Sequence, residues 1–102
     1  MSVTTNTALD VELATTNQPV LVDFWAPWCG YCRALAPVID EIAADHDMHL
    51  VKVNVDEAPE IVARFQVRGI PQLLLFRNSD LTGSYLGAGT RDDIEEELTL
   101  RP

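Results

Sequence analysis

The chain has 102 residues, of which 47% are hydrophobic and 23% are charged, a composition typical of one soluble globular domain that buries its own core. Its formal net charge is −9 and its seven lysines and arginines are scattered, which argues against nucleic-acid binding. Neither a membrane-spanning apolar run nor a signal-peptide pattern is present in the sequence. We therefore expect one cytoplasmic domain over residues 1–102, a monomer that binds neither nucleic acid nor membrane.

Helical and strand patterns alternate along the whole chain. The apolar run over 19–25 predicts a buried central strand, and the apolar spacing that follows predicts a helix from Cys29 or Gly30 to Asp45. Pro37 lies inside this helix, where it cannot donate to the carbonyl of Arg33, so it predicts a kink and has a structural role. The other predicted elements are a helix over 7–16, a strand over 49–56, a helix over 58–67, strands over 71–78 and 81–88, and a helix over 91–100 capped by Thr90. This order predicts an α/β fold with a mixed sheet covered on both faces.

Both cysteines lie in the segment WAPWCGYC, residues 25–32, where the first strand ends and a helix begins. Open α/β folds place their chemistry at this edge of the sheet. Free N–H groups and the helix dipole favour an anion there, so we expect the Cys29 thiol to ionise easily and to be exposed. Cys32 follows one turn later on the same face, and we expect it to be more buried and more basic. This asymmetry supplies the nucleophile and the resolving thiol that dithiol–disulfide exchange requires.

Two structural alternatives compete with this interpretation. A zinc site needs about four ligands, whereas His46 and His49, the two histidines, fall at the far end of the predicted helix. A structural disulfide would close too small a loop to stabilise the fold much. A CxxC motif beside a βαβ pattern favours redox chemistry over both.

Three segments, LVDFWAPWCGYC, VKVNVD and VRGIPQLLLF, resemble the signature blocks of the thioredoxin family in order and separation. The similarity extends from about Thr5 to about Leu98. It implies the thioredoxin fold, with a central mixed sheet of four to five strands flanked by helices on both faces. It also implies a protein disulfide oxidoreductase that reduces disulfide-containing substrate proteins through a Cys29–Cys32 redox pair, with no bound cofactor or metal. NADPH-dependent thioredoxin reductase is the electron donor that the resemblance implies.

The resemblance also suggests roles for the residues around the dithiol. Asp23 would be a buried acid with a raised pKa below Cys32, able to take its proton, although an inward carboxylate satisfied by hydrogen bonds is an alternative. Lys52 matches the family lysine near that acid, although a lysine in a strand can also simply face solvent. Trp25 is expected to pack behind the helix, and Trp28 to form an apolar rim that meets a partner.

The substrate-binding surface is expected to include residues distant from the cysteines in sequence. The family match implies a cis peptide bond between Ile70 and Pro71, which turns the backbone of Ile70 outward to pair with an extended substrate strand. Gly87 matches a family glycine that leaves room for that substrate, although it could be an ordinary turn glycine. Gly30 and Tyr31, between the cysteines, complete the expected surface.

The sequence departs from the family pattern at several positions. Gly30 is followed by Tyr31 where the family usually has proline, which leaves the loop freer and predicts a less reducing couple. Gln72 stands where threonine is usual, and Ser79 replaces a turn glycine, which weakens the hairpin signal. Residues 2–4 leave little room for the family's first strand.

Two rival functions follow from these features. Tyr31 makes a specialised thiol oxidant or isomerase conceivable. A binding subunit that uses the surface of Trp28, Ile70 and Gly87 without turnover is the rival from a different class. The thioredoxin-like disulfide reductase is the function that the sequence favours.

Overall fold

Eight elements of secondary structure follow one another in the predicted order in the computed structural model, which describes residues 1–100. They are α1 (Asn6–Thr15), β1 (Val20–Trp25), α2 (Gly30–Asp45), β2 (His49–Asn54), α3 (Pro59–Phe65), β3 (Gln72–Arg77), β4 (Asp80–Leu86) and α4 (Arg91–Glu97). The final two residues of the predicted domain, 101 and 102, lie outside the described residues. None of the helices within residues 1–100 has the length and hydropathy to cross a membrane.

The strands form one mixed sheet in the order β2-β1-β3-β4. β1 is parallel to β2 and antiparallel to β3, and β3 forms an antiparallel hairpin with β4. Within residues 1–100 the sheet has four strands, the lower end of the predicted range. The segment before α1 contributes a single bridge between Ser2 and Lys52, because it is too short to extend that pairing.

Each face of the sheet is covered by two helices. One core contains α1 and α3, and the other contains α2 and α4. Side chains of a strand alternate between the faces, so Val20, Val22 and Phe24 of β1 enter the first core while Leu21 enters the second. The same alternation places Asp23 on the α2 side of the sheet. The predicted two-sided α/β architecture is confirmed.

Helix α2 begins where the sequence predicts. Cys29 is its N-cap, with extended backbone and a sulfur that accepts a hydrogen bond from the Cys32 N–H at 3.2 Å. The helix then buries an apolar stripe at helical spacing: Leu35, Ile39, Ile42 and Ala43. Pro37 is inside the helix, on its exposed side.

The turn of the β3–β4 hairpin contains two residues in the left-handed region. Asn78 has φ of 52° and Ser79 has φ of 69°, a conformation that glycine or asparagine adopts most easily. The Ser79 hydroxyl donates to the backbone carbonyl of Leu13 in α1 at 3.2 Å. Serine is therefore retained in a turn that would favour glycine, and it contributes a tertiary hydrogen bond.

Helix α4 is capped locally and joined to α2 by charged groups. The Thr90 hydroxyl accepts from the N–H of Asp93, whose carboxylate accepts from the Thr90 N–H, which confirms the predicted cap. Arg91 donates to Asp45 at 2.6 Å, and Glu95 pairs with His46 at 2.6 Å. These contacts hold the end of α2 against α4.

Candidate active site

The ends of all four strands meet at one edge of the sheet, which carries the cysteine motif. β1 and β2 are parallel, so their carboxyl ends, with the loops that follow them, lie side by side. β3 runs in the opposite direction, and its register pairs Gln72 with Phe24 and with Leu86 of β4. Pro71 and Gly87 therefore lie at the same edge as the loop that leads to Cys29.

Cys29 and Cys32 form a disulfide, with their Cα atoms 5.3 Å apart. The prediction of an exposed Cys29 is wrong for this oxidised form, because 7% of Cys29 and 3% of Cys32 is exposed. The disulfide lies in a small apolar cluster with Ala26, against which Trp25 and Ile70 pack. Cys29 is nevertheless the more exposed of the two cysteines, as predicted.

Asp23 is buried one layer below the cysteines, with 2% of its surface exposed. Burial raises its pKa to about 6, while Lys52 lowers it and Asp40 raises it further. The sheet register places Lys52 beside Asp23, with Nζ 3.9 Å from Oδ2. The other carboxylate oxygen, Oδ1, has no hydrogen-bond partner in the described chain. Asp23 is thus buried with a raised pKa, as the resemblance implies, and no group within residues 1–100 donates a hydrogen bond to its Oδ1.

A cavity of about 110 Å³ connects this acid to the second cysteine of the motif. Its walls are formed by Asp23, Trp25, Cys32, Arg33, Ala36 and Lys52. The indole N–H of Trp25 is buried there and has no partner among the described residues. A cavity of this size with polar walls is large enough for a water molecule. Asp23 and Cys32 therefore face one shared space that can hold a water molecule.

The two tryptophans have the contrasting environments that the sequence predicts. Trp25 is half-buried against the cysteines, whereas 67% of Trp28 is exposed. The Trp28 indole N–H donates to Asp56 Oδ2 at 2.9 Å, which holds the ring at the rim. Tyr31 is also at the surface, with 71% exposed. Sequence reasoning missed Asp56, although its place just after β2, at the same edge as Cys29, was a usable signal.

The loop before β3 contacts the cysteine cluster. The Ile70–Pro71 peptide bond is cis, as predicted, and Ile70 packs against the cluster. The Pro71 carbonyl accepts from the Gly87 N–H at 2.8 Å. Gly87 has φ of 95°, and a Cβ there would meet no atom within 4 Å, so the position is both glycine-specific and open. The Gln72 amide donates to the carbonyls of Leu73 and Tyr85, each at 3.2 Å, and so bridges the two strands that support this loop.

A groove of about 290 Å³ opens beside the exposed tryptophan. It is lined by Trp28, Val55, Val62, Val67, Arg68, Gly69 and Ile70. Sequence reasoning included Trp28 and Ile70 but missed the three valines and Arg68. The valines come from the loop after β2 and from α3 and its end, and their convergence depends on how α3 packs. Within residues 1–100, no cluster of three or more His, Cys, Asp or Glu side chains is arranged to hold a metal ion.

Comparison with known proteins agrees with this geometry. The family model described as thioredoxin matches residues 1–100. The chain belongs to the thioredoxin family. A thioredoxin of Pyropia yezoensis is 39% identical over 100 residues, covering 96% of this chain and 94% of the relative. Thioredoxin 1 of Synechococcus elongatus is 42% identical over 96 residues, covering 92% and 90%.

A third relative is longer than the chain. The M-type chloroplastic thioredoxin of Pisum sativum is 37% identical over 100 residues, which are 96% of this chain and 58% of that protein. Membership of the thioredoxin family and the Cys29–Cys32 disulfide together identify a thiol–disulfide oxidoreductase whose redox group is its own cysteine pair. Nothing in the geometry favours the specialised oxidant or the non-catalytic binding subunit.

Proposed function

We propose that the protein reduces disulfides in substrate proteins, with Cys29 as the attacking thiol and Cys32 as the resolving thiol. The observation that carries this assignment is the position of Cys29 at the N-cap of α2, where its sulfur accepts the Cys32 N–H at 3.2 Å. In the reduced protein the same N–H and the helix dipole stabilise a thiolate at Cys29. The more buried Cys32 retains its proton until the second step.

The reaction proceeds in two exchanges that conserve thiols and electrons. The Cys29 thiolate attacks one sulfur of the substrate disulfide, that disulfide breaks, and the released substrate thiolate takes up a proton. Cys32 then loses its proton and attacks the Cys29 sulfur of the mixed disulfide. The second substrate thiol leaves, and the protein retains the Cys29–Cys32 disulfide. Two electrons have passed from the protein to the substrate, the proton lost by Cys32 balances one released substrate thiolate, and solvent supplies the proton for the other.

Asp23 is proposed to accept the Cys32 proton in the second exchange. Its burial and its pKa of about 6 allow it to hold a proton and to release it near neutral pH. The cavity shared by Asp23 and Cys32 supplies the route. Lys52 limits the rise of the Asp23 pKa, so that the carboxylate form remains available as a base. Trp25 packs against the cysteines and lines the same cavity, whereas Pro37 lies on the exposed side of α2 and has a structural role.

The substrate is proposed to bind across the rim of the site as an extended segment. Trp28 and Tyr31 present exposed aromatic surface next to the cysteines. Ile70 lines the same groove as Trp28, and the open position at Gly87 is joined to Pro71 by a hydrogen bond. Gly30, for which a Cβ would meet no atom within 4 Å, keeps the approach to Cys29 open.

NADPH-dependent thioredoxin reductase is the proposed electron donor, and the cytoplasm is the proposed location of a monomeric protein. Family membership supports the choice of donor. A dithiol reductase works in a compartment that keeps thiols reduced, which supports the location. A coupled assay that follows NADPH consumption with insulin as the disulfide substrate tests the donor. Absence of NADPH consumption would reject it.

Trapping tests the assignment of the two thiols. In Cys32→Ser the second exchange is blocked, so a mixed disulfide through Cys29 should accumulate with a model substrate and be visible by mass spectrometry. The matched variant Cys29→Ser should accumulate none under the same conditions. Equal trapping in both variants, or trapping in Cys29→Ser instead, would reject the roles of the two sulfurs.

Tyr31 is proposed to make the couple less reducing than a Gly-Pro motif would. Proline at this first-turn position restricts the loop in advance and stabilises the helix start, whereas tyrosine does not. Tyr31→Pro should therefore move the potential to a more negative value, on the order of 30 mV, which corresponds to a tenfold change in the exchange equilibrium. Redox titration against glutathione measures both proteins. An unchanged or more oxidising potential in Tyr31→Pro would contradict the proposal.

A further inference from the structure

The positive charges of this acidic protein are divided between paired and unpaired groups. Lys52, Arg64 and Arg91 form ion pairs with Asp23, Asp10 and Asp45, respectively. The remaining cationic side chains of residues 1–100, which form no ion pair within that part of the chain, are Arg33, Arg68 and Arg77. The chain has 16 acidic residues and a net charge of −9, so potential partners for these three arginines are abundant.

Arg68 is the unpaired arginine that lines the groove beside Trp28. It precedes Gly69 and Ile70, so it lies next to the backbone proposed to bind the substrate. The carboxylate of Asp56 accepts from the Trp28 indole, and no ion pair joins it to Arg68. The Arg68 side chain is exposed, and an arginine stem can cover apolar surface while its guanidinium stays free. The other groove residues are apolar side chains and one glycine.

We propose that Arg68 determines substrate specificity by binding the carboxylate of an Asp or Glu close to the reactive cysteine of the substrate. An apolar side chain of the same substrate segment occupies the groove. This inference rests on the proposed function, because it places the substrate disulfide over Cys29. A guanidinium presents five donors in a planar fork that matches a carboxylate, and such a pair fixes orientation as well as charge.

A single positive side chain near the disulfide has a large effect on substrate choice because the protein as a whole is strongly negative. A net charge of −9 repels acidic partners at long range and leaves little discrimination among neutral ones. An unpaired cation beside the dithiol offers an acidic segment one favourable position, directly at the reacting sulfur. The contact therefore selects the disulfide that is attacked rather than the partner as a whole.

Two model peptides test the contact. They contain the same intermolecular disulfide and the same leucine neighbour, and differ in having Glu or Gln beside the cysteine. We expect kcat/KM for the Glu peptide to exceed that for the Gln peptide by about threefold to fivefold, the range of a single exposed ion pair. In Arg68→Gln this ratio should fall to about one, and Arg68→Lys should restore part of it. Higher salt should reduce the ratio in the unmodified protein.

Arg77→Gln is the matched control. Arg77 is an exposed, unpaired arginine at the opposite end of β3, so its replacement makes the same change in net charge away from the site. The peptide ratio should remain at its original value in this variant. If both variants lose the ratio, its cause is the overall electrostatic field of the protein, and the proposal is overturned. The proposal is also overturned if Arg68→Gln retains the ratio, if Arg68→Lys restores none of it, or if the unmodified protein does not show it. Failure to reduce either peptide would instead reject the proposed function, on which the inference depends.

Discussion

Asp23 and Glu95 are the two charged side chains buried within residues 1–100, and their pKa values move in opposite directions. Asp23 is 2% exposed, its Oδ1 has no partner in the described chain, and burial raises its pKa to about 6. Glu95 is 8% exposed, but hydrogen bonds from His46 and Arg91 hold its pKa below the usual value. The sign of the shift therefore depends on which groups meet the carboxylate rather than on burial alone.

The positions of the two acids explain the difference. Glu95 lies where α4 meets the end of α2, and its bonds hold those helices together. Asp23 lies beneath the disulfide, where a fully satisfied carboxylate would have too low a pKa to exchange protons near neutral pH. The molecule thus keeps a poorly solvated acid at the site and a well-bonded acid at the structural junction. Four substitutions and one control variant test this contrast.

Asp23→Asn should have the largest effect on the free energy of unfolding. A pKa raised from 3.8 to about 6 means that the folded state holds its proton more tightly, so stability declines as pH rises from about 4 to about 6. The full shift corresponds to about 3 kcal/mol at 1.36 kcal/mol per unit, an upper bound because an asparagine amide also needs partners. We expect Asp23→Asn to raise the free energy of unfolding by about 1 to 3 kcal/mol at pH 8.

Urea denaturation of the disulfide form measures this effect at two pH values. At pH 4 the gain should be much smaller, because Asp23 of the unmodified protein is then protonated in the folded state. A gain of equal size at pH 4 and pH 8 would show that charge burial is not its cause.

Asp23→Asn should also slow the second exchange of the reaction while the first remains fast.

Glu95→Gln should have a smaller effect of the opposite sign. A lowered pKa contributes stability that is present above the ordinary glutamate value and is lost as pH falls through the folded-state value. We expect a loss of about 1 kcal/mol at pH 7, because the partners His46 and Arg91 are partly exposed and solvent screens the pairing. The difference should shrink in strong acid. Glu96→Gln, an exposed position on the same helix, is the matched control and should change stability little.

Lys52→Met should have the smallest effect on stability and a clear effect on titration. Lys52 lowers the pKa of Asp23, so its removal should raise that pKa above about 6. Asp40 acts in the opposite sense, and Asp40→Asn should lower the Asp23 pKa. Carbon-13 NMR of the Asp23 carboxyl group follows both. Shifts in the same direction in the two variants would contradict the electrostatic account of this acid.

The sequence was sufficient to predict the element order and the acid beneath the cysteines, because both follow from local patterns. The run over 19–25 predicts a buried strand, so a carboxylate at position 23 had to be buried with it. The helix start at Cys29 follows from the spacing of apolar residues, which changes from a continuous run to helical spacing after that strand. The cis bond before Pro71 was predictable from the family motif, since base rates alone favour the trans form.

Other features depend on contacts between residues far apart in the chain. Glu95 is an ordinary acidic residue of an amphipathic helix until packing places it against His46, 49 residues earlier. The low exposure of Cys29 depends on how Trp25 and Ile70 close over the disulfide. The groove containing Arg68 exists only once α3 has docked. Sequence periodicity specifies which face of an element is apolar, but not which polar groups meet at its borders.

Ser79 links the outermost strand of the sheet to the start of the chain. β4 pairs with β3 alone, so peeling of this strand would be the easiest local opening of the sheet. Its turn, however, is attached through the Ser79 hydroxyl to Leu13, 66 residues earlier. When the hairpin turn detaches, the Leu13 carbonyl of α1 must also lose its hydrogen bond. The hydrogen–deuterium exchange rates of the hairpin and of α1 should therefore rise or fall together. Ser79→Ala should let the hairpin amides exchange independently of those in α1.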